Sequence, residues 1–310
     1  MKERWNLNQI GGVIPAMLTP FDCNEEVDIP ATKALAEHLV QMGVGGLYLT
    51  GSTGEGFLQT KEQRMKVVEA VTEQVAGRVG VIAHVGSIST AESIELAKQA
   101  ASVGADAVSA VPPFYYKFSF DQIVRHYTEI AEATELPLVI YSIGLTGVNM
   151  SIADVEKLAS IPNIKGIKLT SADTYQIQRI KRHLGDSFTV YSGCDEVFLA
   201  GAVMGADGFI GSTYNLIPDL YIRLLDAVKA GDIRKAEEIA NLANDTLEVL
   251  LAHNYMPMLR YMTDRFAVKI GPNCRPFYPN PEEVNADCIA KLRALKEKHD
   301  FNGILLYDRL

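Results

Sequence analysis

Cysteine is scarce in this 310-residue sequence. Cys23, Cys194, Cys274 and Cys288 lie far apart and form no C-x-x-C pair. That argues against a disulfide framework and for a reducing compartment. A basic excess is also missing. The 29 Lys and Arg stand against 38 Asp and Glu, a formal charge of −9. A nucleic-acid footprint, which is basic and clustered, is not expected. Local donors can still hold a small anion against the global sign. No apolar run has transmembrane length, so no membrane partner is expected. The stretch "MKERWNLNQIGGVIPAML" starts charged and lacks the apolar core of a secretory leader, so a cytoplasmic protein is expected. The six histidines are scattered, with no H-x-x-x-H pair or Cys/His cluster, and no metal is expected. A G-x-S-x-G elbow, a Walker G-K-[ST] and a G-x-G-x-x-G fingerprint are all absent.

What is present is an ordinary globular composition, 48% hydrophobic and 22% charged. Short runs rich in Val, Ile and aromatics, or bounded by Gly and Pro, read as strands: "GVIPAMLTP", "GLYLTG", "GVIAHVG", "AVSAVPP", "LPLVIYSI", "IKGIKLT", "FTVYSG" and "GFIGST". Helical spacing fills the intervals, as in "ATKALAEHLVQMG" and "AESIELAKQAASVG". Capping pairs mark helix starts at Thr60 with Gln63, Ser89 with Glu92, and Ser119 with Gln122. Gly43, Gly104 and Gly205 close helices. Strict βα alternation predicts parallel strands with helical crossovers. Eight regular units favour a closed (β/α)8 TIM barrel over an open doubly wound sheet. The barrel is expected over 1–231. A C-terminal three-helix extension packed on it is expected over 232–310, with helices at 232–253, 256–269 and 283–299.

In such a barrel the site lies at the carboxyl ends of the strands. The run "IKGIKLTSAD" carries two lysines in an apolar strand. Side chains alternate, so Gly166, Lys168 and Thr170 share one face, and Ile167 and Leu169 the other. If the apolar pair packs on helices, Lys168 points into the barrel, while Lys165 escapes at the opposite end. Burial disfavours an ammonium, and a free amine attacks carbonyl carbon to form a Schiff base. The alternative is a lysine paired with a buried carboxylate. "GSTGEGF" after the second strand offers clustered N–H groups and hydroxyls that suit a carboxylate or phosphate, or it is a plain turn with Glu55 at the positive end of the next helix. Tyr141, at the end of the fifth strand, is a proton relay or a core aromatic. Asp195 and Glu196 in "YSGCDEVF" accept from sugar hydroxyls or stabilise a first helical turn. His84 reads as a satisfied core residue.

Taken in order, "GSTGEGF", "AVSAVPPFYYKFSF", "LVIYS", "GIKLTSADTYQ", "YSGCDEVF" and "GADGFIGSTYN" resemble the pyruvate-dependent Schiff-base aldolases that include dihydrodipicolinate synthase and N-acetylneuraminate lyase. The resemblance runs from about Gly12 to about His299. Ser52-Thr53 and Gly193 to Glu196 are most similar to the N-acetylneuraminate lyase branch. No arginine follows Tyr141, where the synthases carry one. The resemblance implies a small-molecule 2-keto sugar acid substrate, no cofactor beyond the Schiff base itself, and a homotetramer. It implies that Lys168 is the Schiff-base lysine and that Tyr141 shuttles protons. Ser52 and Thr53 would hold the pyruvate carboxylate. Thr170, Gly193, Asp195, Glu196 and Ser212 would line the sugar-chain pocket, and Tyr115 would reach a neighbouring subunit's site. One departure stands out. The family commonly reads Tyr-Asn-Ile-Pro after the fifth strand, whereas this chain has Tyr141-Ser142-Ile143-Gly144 in a loop one residue shorter. Another aldolase of the family, a non-catalytic pyruvate- or sialate-binding relative, and a phosphate-binding barrel are the competing readings.

Overall fold

The computed structural model describes residues 4–310. Eight parallel strands, β1 (Gly12–Pro15), β2 (Gly46–Leu49), β3 (Gly80–His84), β4 (Ala107–Ala110), β5 (Leu138–Ile143), β6 (Ile164–Thr170), β7 (Thr189–Ser192) and β8 (Gly208–Gly211), alternate with eight helices. These are α1 (Ile29–Gln41), α2 (Lys61–Val75), α3 (Thr90–Ser102), α4 (Phe120–Glu132), α5 (Ile152–Ala159), α6 (Tyr175–Leu184), α7 (Phe198–Val203) and α8 (Pro218–Lys229). The strand order runs from β2 through β3 to β8 and on to β1. Closure comes from a parallel bridge between Ala16 and Tyr48, with Gly45 N–H donating to Val13 O and Met17 N–H to Tyr48 O, each at 2.9 Å. The closed TIM barrel is thus the architecture adopted, as the regular βα alternation predicts.

The strands' alternation divides the core. Ile167 and Leu169 join the large apolar layer between barrel and helices. The interior holds Ile14, Tyr48, Ile82, Val139, Tyr141, Tyr191 and Ile210, with Leu7 and Ile10 of the amino-terminal segment packed among them. Burial on both faces explains why the strands read as continuous apolar runs.

Three longer helices follow, α9 (Ile233–Leu251), α10 (Tyr255–Phe266) and α11 (Glu282–Lys298), close to the expected positions. A fourth, α12 (Leu305–Arg309), is too short to announce itself by periodicity, yet it buries Leu306 and Tyr307. Two of the expected capping boxes form, at Thr60 and Ser119. The third does not. Ser89 makes no side-chain cap, and the Glu92 carboxylate that would return the bond accepts instead from the Ser87 hydroxyl at 3.0 Å. The glycines expected to close α1, α3 and α7 all take positive φ.

Candidate active site

Strand parity places Lys168 as the sequence requires. It is 4% exposed while Lys165, at the other end of β6, is exposed. Lys168 is register partner to Tyr141 on β5 and to Tyr191 on β7. Its Nζ lies 4.2 Å from the ring centre of Tyr141 and 4.5 Å from that of Tyr48. The two rings meet edge to face at 5.9 Å, so the nitrogen sits between two electron-rich faces. Among the described residues no carboxylate comes within the 4.0 Å of an ion pair with it. The paired-lysine alternative therefore fails. The side chain's stem is seated by Gly193, where an added Cβ would lie 3.0 Å from Lys168 Cε.

Tyr48 was not singled out by sequence reasoning. Parity would have found it, since it occupies on β2 the inward position that Lys168 occupies on β6. Its hydroxyl donates to Ser109 Oγ at 3.1 Å, and its ring packs against Gly51, where a Cβ would be 2.6 Å from Cε1. Tyr48 thus connects the floor under Lys168 to the "GSTGEGF" loop. His84 packs edge-on against Tyr141 at 5.7 Å. Burial, then the neighbouring Arg64 guanidinium, push its pKa well below the ordinary 6.5, so it is a neutral core group, as expected. Arg64 is itself buried. It donates to the carbonyls of His84 at 2.7 Å and Gly86 at 3.1 Å, closing the end of β3.

In the loop after β2, Ser52 and Thr53 are half-buried. Among the described residues the amides of Ser52, Thr53 and Gly54 donate to no protein acceptor, whereas those of Glu55 and Gly56 close the turn onto Ser52 O and Gly51 O. Three adjacent free donors are an arrangement that suits an anion. Glu55 is the N-cap residue of the short 3-10 turn Gly56–Leu58, the position its sequence neighbours suggest, but its side chain makes no cap there. It is buried and ion-paired with Arg260 of α10 at 2.6 Å. Ser52 lines a cavity of about 270 Å³ whose walls are apolar, with Phe57, Val111, Phe114, Ile143 and Leu145 among them.

The remaining expected residues gather on the opposite rim. Thr170, Gly193, Asp195, Glu196 and Ser212 line a second cavity of about 170 Å³, together with Tyr255. Thr170 Oγ1 is buried with no partner among the described residues. Glu196 is exposed. Asp195 is turned into the protein. Its Oδ2 accepts from Thr213 Oγ1 at 2.6 Å, Thr213 N–H at 2.9 Å and Ser212 Oγ at 3.4 Å. Burial raises its pKa, and the Thr213 bonds oppose the rise. Ser212 Oγ and Tyr255 OH lie 2.5 Å apart. Tyr255 begins α10 and carries no motif, so nothing in the sequence pointed to it. Tyr115 is not brought to this site. It is 82% exposed at φ 79, stacked edge-on with exposed Tyr116 at 5.0 Å.

Among the described residues no group of three or more His, Cys, Asp or Glu is placed to hold a metal ion, and no helix is long and apolar enough to cross a membrane.

Residues 9–295 match the dihydrodipicolinate synthetase family. N-acetylneuraminate lyase 2 of Escherichia coli O6:H1 is 39% identical over 294 residues, 94% of this chain and 96% of that protein. The N-acetylneuraminate lyase of Rhizobium meliloti is 38% identical over 289 residues, 93% and 94% of the two chains. Among solved structures, CdNal from Clostridium difficile, in complex with mannosamine, superposes with a TM-score of 0.89 at 31% identity, covering 92% of this chain and 99% of that one. The sialic acid aldolase of Ruminococcus gnavus gives 0.88 at 29%, over 94% and 99%. The chain belongs to the dihydrodipicolinate synthetase family and is a carbon–carbon lyase, a Schiff-base class I aldolase acting on a 2-keto sugar acid and closely related to N-acetylneuraminate lyase.

Proposed function

We propose that this aldolase cleaves N-acetylneuraminate to pyruvate and N-acetylmannosamine through a Schiff base on Lys168. The observation that carries the reading is the buried Lys168 Nζ, without a carboxylate partner among the described residues, 4.2 Å from the ring centre of Tyr141. The amine adds to the C2 ketone of the open-chain substrate, water leaves, and the iminium becomes an electron sink. Tyr141 takes the proton of the C4 hydroxyl as the C3–C4 bond breaks. The electron pair of that bond passes into the enamine, and N-acetylmannosamine leaves as the aldehyde. Protonation of the enamine at C3 and hydrolysis of the imine release pyruvate and restore the amine. The free amides and hydroxyls at Ser52 and Thr53 hold the carboxylate, which fixes the keto carbon beside Lys168. Thr170, Gly193, Glu196 and Ser212 take the sugar chain, and Asp195 holds the Ser212–Thr213 backbone in place behind them. Tyr115 serves a neighbouring subunit of a homotetramer, which accounts for so large an exposed ring on a strained backbone.

Borohydride reduction in the presence of pyruvate is expected to leave one adduct, on Lys168, and Lys168→Ala to abolish both adduct and cleavage while circular dichroism is unchanged. An adduct on another lysine refutes the assignment. A second reading, a different 2-keto sugar acid, is favoured by the Ser142-Ile143-Gly144 loop and its apolar wall at Ile143 and Leu145. Pyruvate release from a panel of sugar acids separates the two, and saturable binding without release would indicate a non-catalytic relative.

A further inference from the structure

The Glu55 carboxylate accepts three protein hydrogen bonds, all from residues more than two hundred positions away. Arg260 Nη2 donates to Oε1 at 2.6 Å, Asn273 Nδ2 donates to Oε1 at 2.7 Å, and Cys274 N–H donates to Oε2 at 2.8 Å. Arg260 is 2% exposed and also donates to Thr19 O at 2.8 Å and Ile270 O at 3.2 Å. Two charges this deep hold each other, because removing either strands the other without water.

The backbone around Glu55 needs such an anchor. Glu55 lies in the left-handed region at φ 57, and Thr50, which opens the loop, lies there at φ 53. Non-glycine residues are rarely found so and persist only where surrounding contacts fix them. Gly56 passes so close to Thr50 that an added Cβ would be 2.0 Å from Thr50 O. Between these two points stand Ser52, Thr53 and Gly54, the residues with unengaged amides. Glu55 N–H donates to Ser52 O at 3.0 Å, so a shift of Glu55 moves those donors with it.

We propose that Glu55 and Arg260 are positioning residues through which α10 and the segment after it hold the β2 loop in the shape that grips the substrate's carboxylate. This rests on the reading of that loop given under Proposed function. The ketone is addressed by Lys168, so the pair acts on the carboxylate end of the substrate alone.

The test compares pyruvate with methyl pyruvate, which has the same ketone and no free carboxylate, as substrates for borohydride trapping on Lys168. Half-saturation is measured in the wild type, Glu55→Gln, Arg260→Met and Arg260→Lys. A glutamine cannot replace Glu55, since one of its two ends presents N–H to a donor. In Glu55→Gln and Arg260→Met the half-saturating pyruvate concentration is expected to rise about tenfold, the loss of roughly one charge-assisted hydrogen bond, while that of the ester stays within about twofold. Arg260→Lys falls between, and it carries the comparison where Arg260→Met does not fold. Val71→Ala, a core change far from the loop, is expected to lower Tm and move neither value. Equal changes for acid and ester, or none, would show the pair to be merely structural and overturn the proposal. A wild type that traps both ligands with equal affinity refutes the loop as a carboxylate holder, and a wild type that forms no adduct on Lys168 refutes the function instead.

Discussion

A methyl group built on Gly193 would lie 2.4 Å from Thr170 Oγ1 and 3.0 Å from both Leu169 O and Lys168 Cε. The carbonyl is backbone and cannot yield, so the side chains must. Gly193→Ala is expected to displace the Lys168 stem by a fraction of an ångström. A full ångström of misplacement at the reacting atom costs about a hundredfold, so this smaller one is expected to lower the rate about tenfold. The fold should survive, because overpacking of this size costs about 1–3 kcal/mol. Single-turnover trapping of pyruvate checks this, and a rate within twofold of wild type would show that Gly193 does not seat the lysine. Residues of this kind differ in how far the sequence reveals them. Lys168 is legible because an ammonium in an apolar strand conflicts with its surroundings, and strand parity says where it points. Glu55 is half legible, because its neighbours place it at the start of a helical turn while its side chain's partner lies 205 residues on. Tyr255 is silent, since its role depends only on where α10 comes to rest.

Helix starts show the same contrast one level up. "S-x-x-Q" at Ser119 and "S-x-x-E" at Ser89 are equivalent as patterns. In the structure Ser119 Oγ accepts from Gln122 N–H and Gln122 returns the bond to Ser119 N–H, whereas Ser89 makes neither. Glu92 instead accepts from Ser87. Ser119→Ala is therefore expected to destabilise by about 1 kcal/mol and Ser89→Ala by a few tenths. Urea unfolding of the two variants tests the difference, and equal losses would contradict it. A local motif states what a residue is able to do, and a competing partner two positions away decides whether it does. Strand ends behave likewise. "GVIPAMLTP" reads as nine residues of strand, yet β1 spans only Gly12–Pro15, with an isolated bridge from Ala16 to Tyr48 and one bond from Met17 beyond it.

For the whole molecule, buried histidines contribute to the response to acid. His126 of α4 is 3% exposed, with Thr90 Oγ1 at 2.8 Å from Nδ1, and burial pulls its pKa from 6.5 to about 4. His84 is lowered further in the same sense. The folded state keeps both rings neutral below pH 6.5, whereas the unfolded chain protonates them. Between pH 6.5 and about 4 the unfolded state thus binds more protons, and stability falls as pH falls. Asp195 and Asp219 act the other way. Burial raises their pKa, so their ionised forms destabilise the fold at neutral pH, and acid relieves that cost. The histidine contribution is isolated by differencing. His126→Phe fills the same space without a titrating group, and Thr90, partly exposed on the first turn of α3, can turn its hydroxyl to water. The variant should lose about 3 kcal/mol less than wild type between pH 7 and pH 4, the shift of His126 taken at 1.36 kcal/mol per unit. Urea unfolding at a series of pH values measures this difference. A difference that stays flat across the interval would mean that His126 titrates at its ordinary value in the folded protein and that water reaches the α3–α4 contact.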